Sequence, residues 1–278
     1  MEWKGLFTKI HWPQAGFLAG SYLVLCGLLI GAVKGIPTHT GSPVAVQALG
    51  AWQTVAFLAV AVIVGAMIIR KVKARVAWEL VLGVTLFLGV WFYAWAVFSG
   101  EVGLVIAAIV TLLQAWIRRV WIHDVFILLG AAGVALNFAF LLPVNMILIL
   151  FFVLAIYDTF LARSGSPMVR FAASLVHRGI VPGLIIPGRV REMTRETREV
   201  IATSESVFLG AGDLILPSVL VVLAAASGTL PAVVVTLGCV LAAAWLGSRG
   251  ATAPFPALLP FAVTVGLPFL VMKFFHIV

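Results

Sequence analysis

Long apolar runs separated by short polar connections dominate the chain. A helix needs about 20 predominantly apolar residues to cross the hydrocarbon core of a bilayer. The runs predict about nine transmembrane helices, at residues 15–36, 44–69, 76–98, 102–117, 121–142, 144–162, 207–226, 229–247 and 254–276. The fourth is short, and the fifth and sixth are separated only at "LLPVN" around Pro143. We therefore expect an all-α, polytopic membrane protein.

One long segment, residues 163–206, interrupts this pattern. It divides a single membrane domain into an N-terminal six-helix part at residues 1–162 and a C-terminal three-helix part at residues 207–278. The first half of the segment, "PMVRFAASLVHRGIVPGLIIPG", is amphipathic and then apolar, which favours a position on the membrane surface or over a site. For residues 181–188 we expect a surface-lying loop, with pairing to a substrate strand or plugging of a cleft as alternatives. The second half, "RVREMTRETREV", predicts a charged helix with Arg and Glu side chains within reach of each other.

The composition excludes a soluble domain. The 278 residues are 63% hydrophobic and 10% charged, with a mean hydropathy of +1.18, whereas soluble domains are about 45–50% apolar and about 25% charged. The net charge of +8 would suggest nucleic acid in a soluble protein. Here membrane topology explains the charge, so we expect the lipid bilayer and no nucleic acid as a partner. Both cysteines lie in apolar segments, which argues against a structural disulfide, and the N-terminal residues lack the pattern of a removable signal peptide.

The basic residues predict the orientation, because Lys and Arg are retained on the cytoplasmic side. With nine helices and a cytoplasmic N-terminus, 16 of the 18 Lys and Arg residues fall inside, and only Lys34 and Lys273 fall outside. Without the seven in the long loop, the ratio is still nine to two. We therefore expect a multi-pass protein of the cell membrane, with its N-terminus and the 163–206 loop in the cytoplasm and its C-terminus outside.

Two acidic residues stand well inside the predicted helices. Of the ten acidic residues, six lie in loops or tails, and Glu79 and Asp124 lie at the basic cytoplasmic edge. The other two are Asp158 in "FFVLAIYDTFLA" and Asp213 in "FLGAGDLILP". An ionised Asp deep in a bilayer costs at least ~2.5–3.5 kcal/mol on insertion scales, so both are candidate functional residues.

The two aspartates lie at nearly the same predicted depth. At about 1.5 Å per residue, Asp158 stands about 7.5 Å from the cytoplasmic end of its helix, and Asp213 about 9 Å from that end of the next, antiparallel helix. Carboxylates at one level would share a proton, because like charges a few ångströms apart cannot both ionise cheaply. The ionised one could activate water while the protonated one polarises a carbonyl. A proton or cation relay, and two unrelated structural aspartates, are the alternatives.

Small residues and prolines occur at the same level. Gly210 and Gly212 precede Asp213, and small residues let a neighbouring helix or a substrate backbone come close. The stretch "TAPFPALLPF" opens the last predicted helix, and its three prolines disfavour regular helix. A proline-initiated helix start would account for the first proline but not for all three. Irregular backbone in a membrane must be buried or line a wet cavity, where an extended strand could bind a substrate peptide.

Three short motifs resemble, in order and depth, those of the presenilin and signal peptide peptidase family of intramembrane aspartyl proteases. They are Tyr157-Asp158 on the sixth helix, Gly210-Ala211-Gly212-Asp213 on the seventh and Pro256-Ala257-Leu258 on the ninth. The resemblance covers the whole topology, and the compact loops are similar to those of a prokaryotic, archaeal homologue. It implies Asp158 and Asp213 as catalytic residues. It further implies a set of residues that bind substrate or shape the site: Tyr157, Gly210, Gly212, Pro256, Ala257 and Leu258. One departure is Leu259, which stands before Pro260 where presenilin continues directly to proline.

The sequence therefore predicts an aspartic endopeptidase that hydrolyses peptide bonds within transmembrane segments of single-span membrane proteins. No metal or other cofactor is expected, because the H-E-x-x-H signature is absent. The acid and base roles are not divided between the aspartates, since such a pair titrates together. The main alternative is a transporter or ion-leak channel that uses both aspartates as a relay. The prepilin peptidase group and a structural scaffold are further alternatives, and a homo-oligomer stays open.

Overall fold

A computed structural model describes residues 12–40, 75–98, 100–162, 167–201, 206–249 and 255–278. Within these ranges the chain is almost entirely helical. In chain order, the helices are α1 (Trp12–Thr40), α2 (Arg75–Val97), α3 (Gly100–Trp116), α4 (Val120–Leu141), α5 (Val144–Leu161), α6 (Pro167–His177), α7 (Thr197–Ile201), α8 (Ala211–Ser227), α9 (Thr229–Arg249) and α10 (Leu258–Phe274).

The long apolar helices confirm the prediction of an all-α, polytopic membrane protein. Four of them, α1, α2, α4 and α9, are long and apolar enough to cross a membrane, and α3, α5, α8 and α10 are shorter apolar helices. These eight match the first and the third to ninth predicted spans, with ends that agree to within four residues. The second predicted span, residues 44–69, lies outside the described residues. The total of nine helices, their orientation and the division into three parts therefore stay predictions.

Glycines set the closest approaches between helices. A Cβ atom at Gly89 of α2 would lie 2.4 Å from the backbone oxygen of Gly130 in α4, and one at Gly133 would lie 1.6 Å from the oxygen of Gly89. Likewise, a Cβ atom at Gly238 of α9 would lie 2.1 Å from the backbone oxygen of Thr264 in α10. Helix association in a membrane depends on such packing, because lipid provides no hydrophobic force between helices. These glycines therefore allow α2 to pack closely on α4, and α9 on α10.

The last helix, α10, carries a local distortion. Residues Ala262–Gly266 form a π-helical turn. Pro268 has no N–H for the carbonyl of Thr264, and a proline ring clashes with the carbonyl four residues earlier. A π-turn widens the helix and relieves that clash. Phe255 and Pro256, which precede α10, have no regular structure, in agreement with the proline pattern.

The long loop and the residues that follow it form a two-stranded antiparallel sheet that the apolar pattern does not predict. Strand β1 (Gly183–Ile186) pairs with strand β2 (Val207–Gly210), with Gly183 opposite Gly210. All four residues of β1 are buried, so the expected surface-lying loop at 181–188 is wrong. The seventh predicted helix starts four residues too early, because residues 207–210 form a strand and α8 begins at Ala211.

The charged half of the loop also differs from its prediction. Instead of one helix it forms a 3-10 turn at Val190–Thr194 followed by the short helix α7. The intervening backbone binds the start of α4: the Val120 N–H donates to Arg195 O at 3.3 Å, and the Thr197 N–H donates to Arg118 O at 2.9 Å. These bonds take up backbone groups that a continuous helix would use, and they dock the loop on the end of α4.

Candidate active site

Asp158 lies in the last turn of α5 and binds the beginning of α10. Its Oδ2 accepts a hydrogen bond from the Leu258 N–H at 3.0 Å, and the Ala257 N–H also donates to the carboxylate. The first N–H groups of a helix have no partner within that helix. An acidic side chain there is also favoured by the positive end of the helix dipole. Asp158 thus caps α10 from a neighbouring helix, which fixes the half-buried carboxylate beside the Pro-Ala-Leu motif.

Asp213 is held by the start of its own helix. Gly210 is the N-cap of α8, and Asp213 is the third helical residue after it. The Asp213 carboxylate accepts a hydrogen bond from the Gly210 N–H. This is the backward contact that an acidic residue makes in a capping box. A Cβ atom at position 210 would stand 3.2 Å from Asp213 Oδ2, so glycine leaves room for the carboxylate.

The backbone of Asp213 is fixed by a side chain from α1. In a regular helix the carbonyl of Asp213 would accept from residue 217, but that residue is Pro217, which has no N–H. The hydroxyl of Tyr22 donates to this carbonyl at 2.6 Å instead. Tyr22 is fully buried, and its ring packs on Phe261 of α10 with centroids 4.9 Å apart. One tyrosine therefore connects α1, α8 and α10.

The structure brings the two predicted aspartates together. The carboxyl groups of Asp158 and Asp213 are close enough to interact electrostatically, although they come from different helices. The N–H groups of Ala257 and Leu258 lie on the Asp158 side of the pair, and that of Gly210 lies on the Asp213 side. Like charges that interact in this way make it unfavourable to ionise both carboxyl groups at once.

The other predicted site residues fall into two groups. Gly210, Ala257 and Leu258 contact an aspartate, as described above. Pro256 is half-buried just before α10, whereas the Tyr157 side chain is 55% exposed and Gly212 has open space where a Cβ atom would stand. Open space beside Gly212 leaves room for another backbone next to Asp213.

Sequence reasoning misses two features that support the site. Tyr22 gives no signal, because one tyrosine in an apolar helix resembles ordinary packing. The sequence predicts Asp124 at the basic edge of the membrane, but its side chain is 97% buried and its Oδ1 accepts from the Ile185 N–H at 2.9 Å. No local pattern in the sequence indicates this bond, because its partner lies 61 residues away.

The described residues include two free cysteines and no cluster of metal-ligating side chains. No group of three or more His, Cys, Asp or Glu side chains among them could hold a metal ion. Cys26 of α1 and Cys239 of α9 are buried free thiols that hydrogen-bond to each other.

Comparison with known proteins identifies the fold. A solved structure of a presenilin family intramembrane aspartate protease matches this chain with a TM-score of 0.58 and 19% sequence identity. The match covers 94% of this chain and 99% of that one. No protein-family model matches the sequence, and no curated protein matches it. This chain therefore shares the fold of a presenilin-family protease over nearly its whole length.

Proposed function

We propose that this protein is an intramembrane aspartyl endopeptidase of the presenilin type, with Asp158 and Asp213 as its catalytic pair. The observation that carries the proposal is the meeting of these two carboxyl groups, from the separate helices α5 and α8, beside the irregular start of α10. Isolated carboxylates are costly in a membrane, and a pair that interacts at one site is what acid–base chemistry requires. The shared fold supports the same reaction class.

The proposed reaction is hydrolysis of an amide by an activated water molecule. The ionised carboxylate takes a proton from water as the water oxygen attacks the scissile carbonyl carbon. The protonated carboxyl group donates its proton to the carbonyl oxygen, which gives a tetrahedral intermediate. The C–N bond then breaks as the proton taken from water passes to the leaving nitrogen and one hydroxyl of the intermediate returns its proton to the other carboxylate. Because interacting carboxyl groups titrate as a pair, we assign the acid and base roles to the pair and not to either aspartate. The N–H groups that bind each carboxylate keep both in place. The proposed reaction uses no cofactor or metal.

The proposed substrates are single-span membrane proteins that enter the site from the bilayer. A transmembrane helix buries its amides in its own hydrogen bonds, so it must unwind before cleavage. In the described part of the chain, β2 pairs with β1 on one edge only, and Phe208 on β2 is 36% exposed. An unwound segment can add to the other edge of β2, since an open strand edge binds extended peptides through backbone hydrogen bonds. Gly210, at the end of β2, would then deliver that segment to Asp213.

The proposed setting is the cell membrane, with the site near the cytoplasmic face. This follows from the distribution of Lys and Arg and from the position of both aspartates toward the basic end of their helices. The lipid bilayer and the substrate are the partners that the proposal requires. A homo-oligomer is compatible with it and is not needed, because the catalytic groups come from one chain.

The proposal is tested by incubating detergent-purified protein with a panel of single-span peptides. We expect the wild-type protein to cleave some of them, and Asp158→Asn and Asp213→Asn to lose at least about a thousandfold in kcat/KM, because each removes a group that takes part in proton transfer. Glu101→Gln, the same acid-to-amide change at the exposed start of α3, serves as the matched control and should keep full activity. Full cleavage by Asp213→Asn would refute the proposal.

The rival function, a transporter or ion-leak channel, makes a different prediction for the same residues. A relay moves protons or cations across liposome membranes and is unaffected by a peptide transition-state mimic. Flux that persists in the presence of such an inhibitor, and that is lost in the Asp→Asn variants, would favour the rival. We expect no flux of this kind, because in the described part of the chain both carboxylates are bound by backbone N–H groups at the starts of α10 and α8.

A further inference from the structure

The sheet next to the active site is attached to the membrane helices through polar contacts on its outer edge. In β1, the Ile185 N–H donates to Asp124 Oδ1 at 2.9 Å, and the Gly183 carbonyl lies 3.0 Å from His123 Nε2. A carbonyl oxygen only accepts, so the His123 Nε2 carries the hydrogen. Both contacts come from consecutive residues at the start of α4. Gly183 and Ile185 are alternate residues of β1, and their backbone N–H and C=O groups point away from β2.

A continuous series of backbone bonds leads from these contacts to the catalytic pair. The Ala211 N–H donates to Pro182 O at 2.9 Å, which extends the strand pairing into the first residue of α8. Gly183 stands opposite Gly210, and a Cβ atom at Gly183 would lie 2.0 Å from Leu209 O. Gly210 then donates its N–H to the Asp213 carboxylate. Gly210 is therefore the last residue of β2, the N-cap of α8 and a hydrogen-bond donor to the Asp213 carboxylate.

We infer that Asp124 and His123 are positioning residues that hold the sheet against α4 and thereby fix Gly210 and the carboxylate of Asp213. The effect on cleavage rests on the proposed function, whereas the attachment of the sheet to α4 is independent of that function. The side chains occupy the outer edge of β1, so β2 offers the open edge of this sheet for a substrate strand. The side chain of Asp124 is buried, and its Oδ2 has no hydrogen-bond partner among the described residues. The bond from Oδ1 to β1 is therefore the contact that can position this side chain and the strand relative to each other.

The test compares two replacements of the same size at position 124. Asp124→Asn keeps an oxygen that can accept from Ile185, whereas Asp124→Leu removes it and leaves a buried N–H without a partner. We expect kcat to fall at least about tenfold in Asp124→Leu, with KM changed by less than about threefold, because losing a buried acceptor costs enough to release the strand while the substrate edge remains. Asp124→Asn should keep kcat within about threefold of wild type.

A second readout does not depend on proteolysis. Backbone hydrogen exchange at Leu184 and Ile186 should become at least about tenfold faster in Asp124→Leu than in Asp124→Asn, because these amides are protected only while β1 is held in place. If Asp124→Leu does not fold, His123→Phe replaces it, since the change keeps a ring and removes the donor to Gly183, with His123→Gln as its control.

The outcomes separate this inference from the proposed function. Equal exchange and equal kcat in Asp124→Leu and Asp124→Asn overturn the inference. Faster exchange with unchanged kcat confirms the attachment but overturns the positioning role. If the wild-type protein cleaves no peptide, the proposed function fails, and the exchange rates still decide whether Asp124 holds the sheet.

Discussion

The position of Asp213 depends on Gly210, which has no side chain, and on Pro217, which has no N–H. Gly210 leaves its side free for the carboxylate, and Pro217 leaves the carbonyl of Asp213 without an N–H from its own helix. A buried carbonyl without a donor would cost about 1–3 kcal/mol. Tyr22 removes that cost by donating its hydroxyl, and in doing so it fixes the main chain that carries the Asp213 carboxylate.

Replacing Tyr22 by Phe tests this contact. The change keeps the ring that packs on Phe261 and removes only the hydroxyl, so we expect the free energy of unfolding to fall by about 1–3 kcal/mol. Thermal unfolding in detergent measures the loss. Tyr93→Phe is the matched control: its hydroxyl donates to Leu28 O at 3.4 Å, and its side chain is only half-buried, so its loss should be smaller. Equal losses in the two variants would contradict a special role for Tyr22.

At the scale of elements, the helices can be predicted from the sequence and the sheet cannot. Each long helix is an apolar run whose ends are marked by charged residues, glycine or proline, so the predicted ends of α4 and α9 agree with the structure to within two residues. The strands are four residues each, and "GLII" and "VFLG" are apolar stretches that could equally begin a helix. Their identity follows from pairing with each other and from Asp124, which no local pattern reveals. The two aspartate motifs can be recognised in the sequence because a carboxylate in an apolar run is rare, whereas a tyrosine such as Tyr22 is common there.

Packing between α2 and α4 provides a prediction about elements. Gly89→Ala should prevent the present approach of the two helices, because its Cβ atom would lie 2.4 Å from the backbone of Gly130. We expect a loss of about 1–3 kcal/mol in the free energy of unfolding, the usual cost of overpacking. Gly83→Ala on the same helix meets no atom within 4 Å, so it should be neutral or stabilising, since alanine favours helix. Equal stability of the two variants in detergent would show that this contact does not hold the helices together.

On the scale of the whole molecule, the site is assembled from parts that are far apart in the sequence. The two carboxylates come from α5 and α8, the groups that hold them come from α1, β2 and α10, and the sheet is attached to α4. Such a site forms only if the ends of α4, α5, α8 and α10 that build it face the same side of the membrane. The distribution of Lys and Arg predicts that this side is the cytoplasm.

The orientation can be measured with single cysteines and a membrane-impermeant thiol reagent. The native Cys26 and Cys239 are buried, so they should give little background. Glu199→Cys in the loop should react only after the cells are made permeable, because the loop is predicted to be cytoplasmic, whereas His276→Cys near the C-terminus should react in intact cells. Both positions are exposed on the protein, so lack of reaction reflects the membrane barrier and not burial. The opposite labelling pattern would place Asp158 and Asp213 near the outer face, and the proposed substrates would then have to present their cleavage sites on that side.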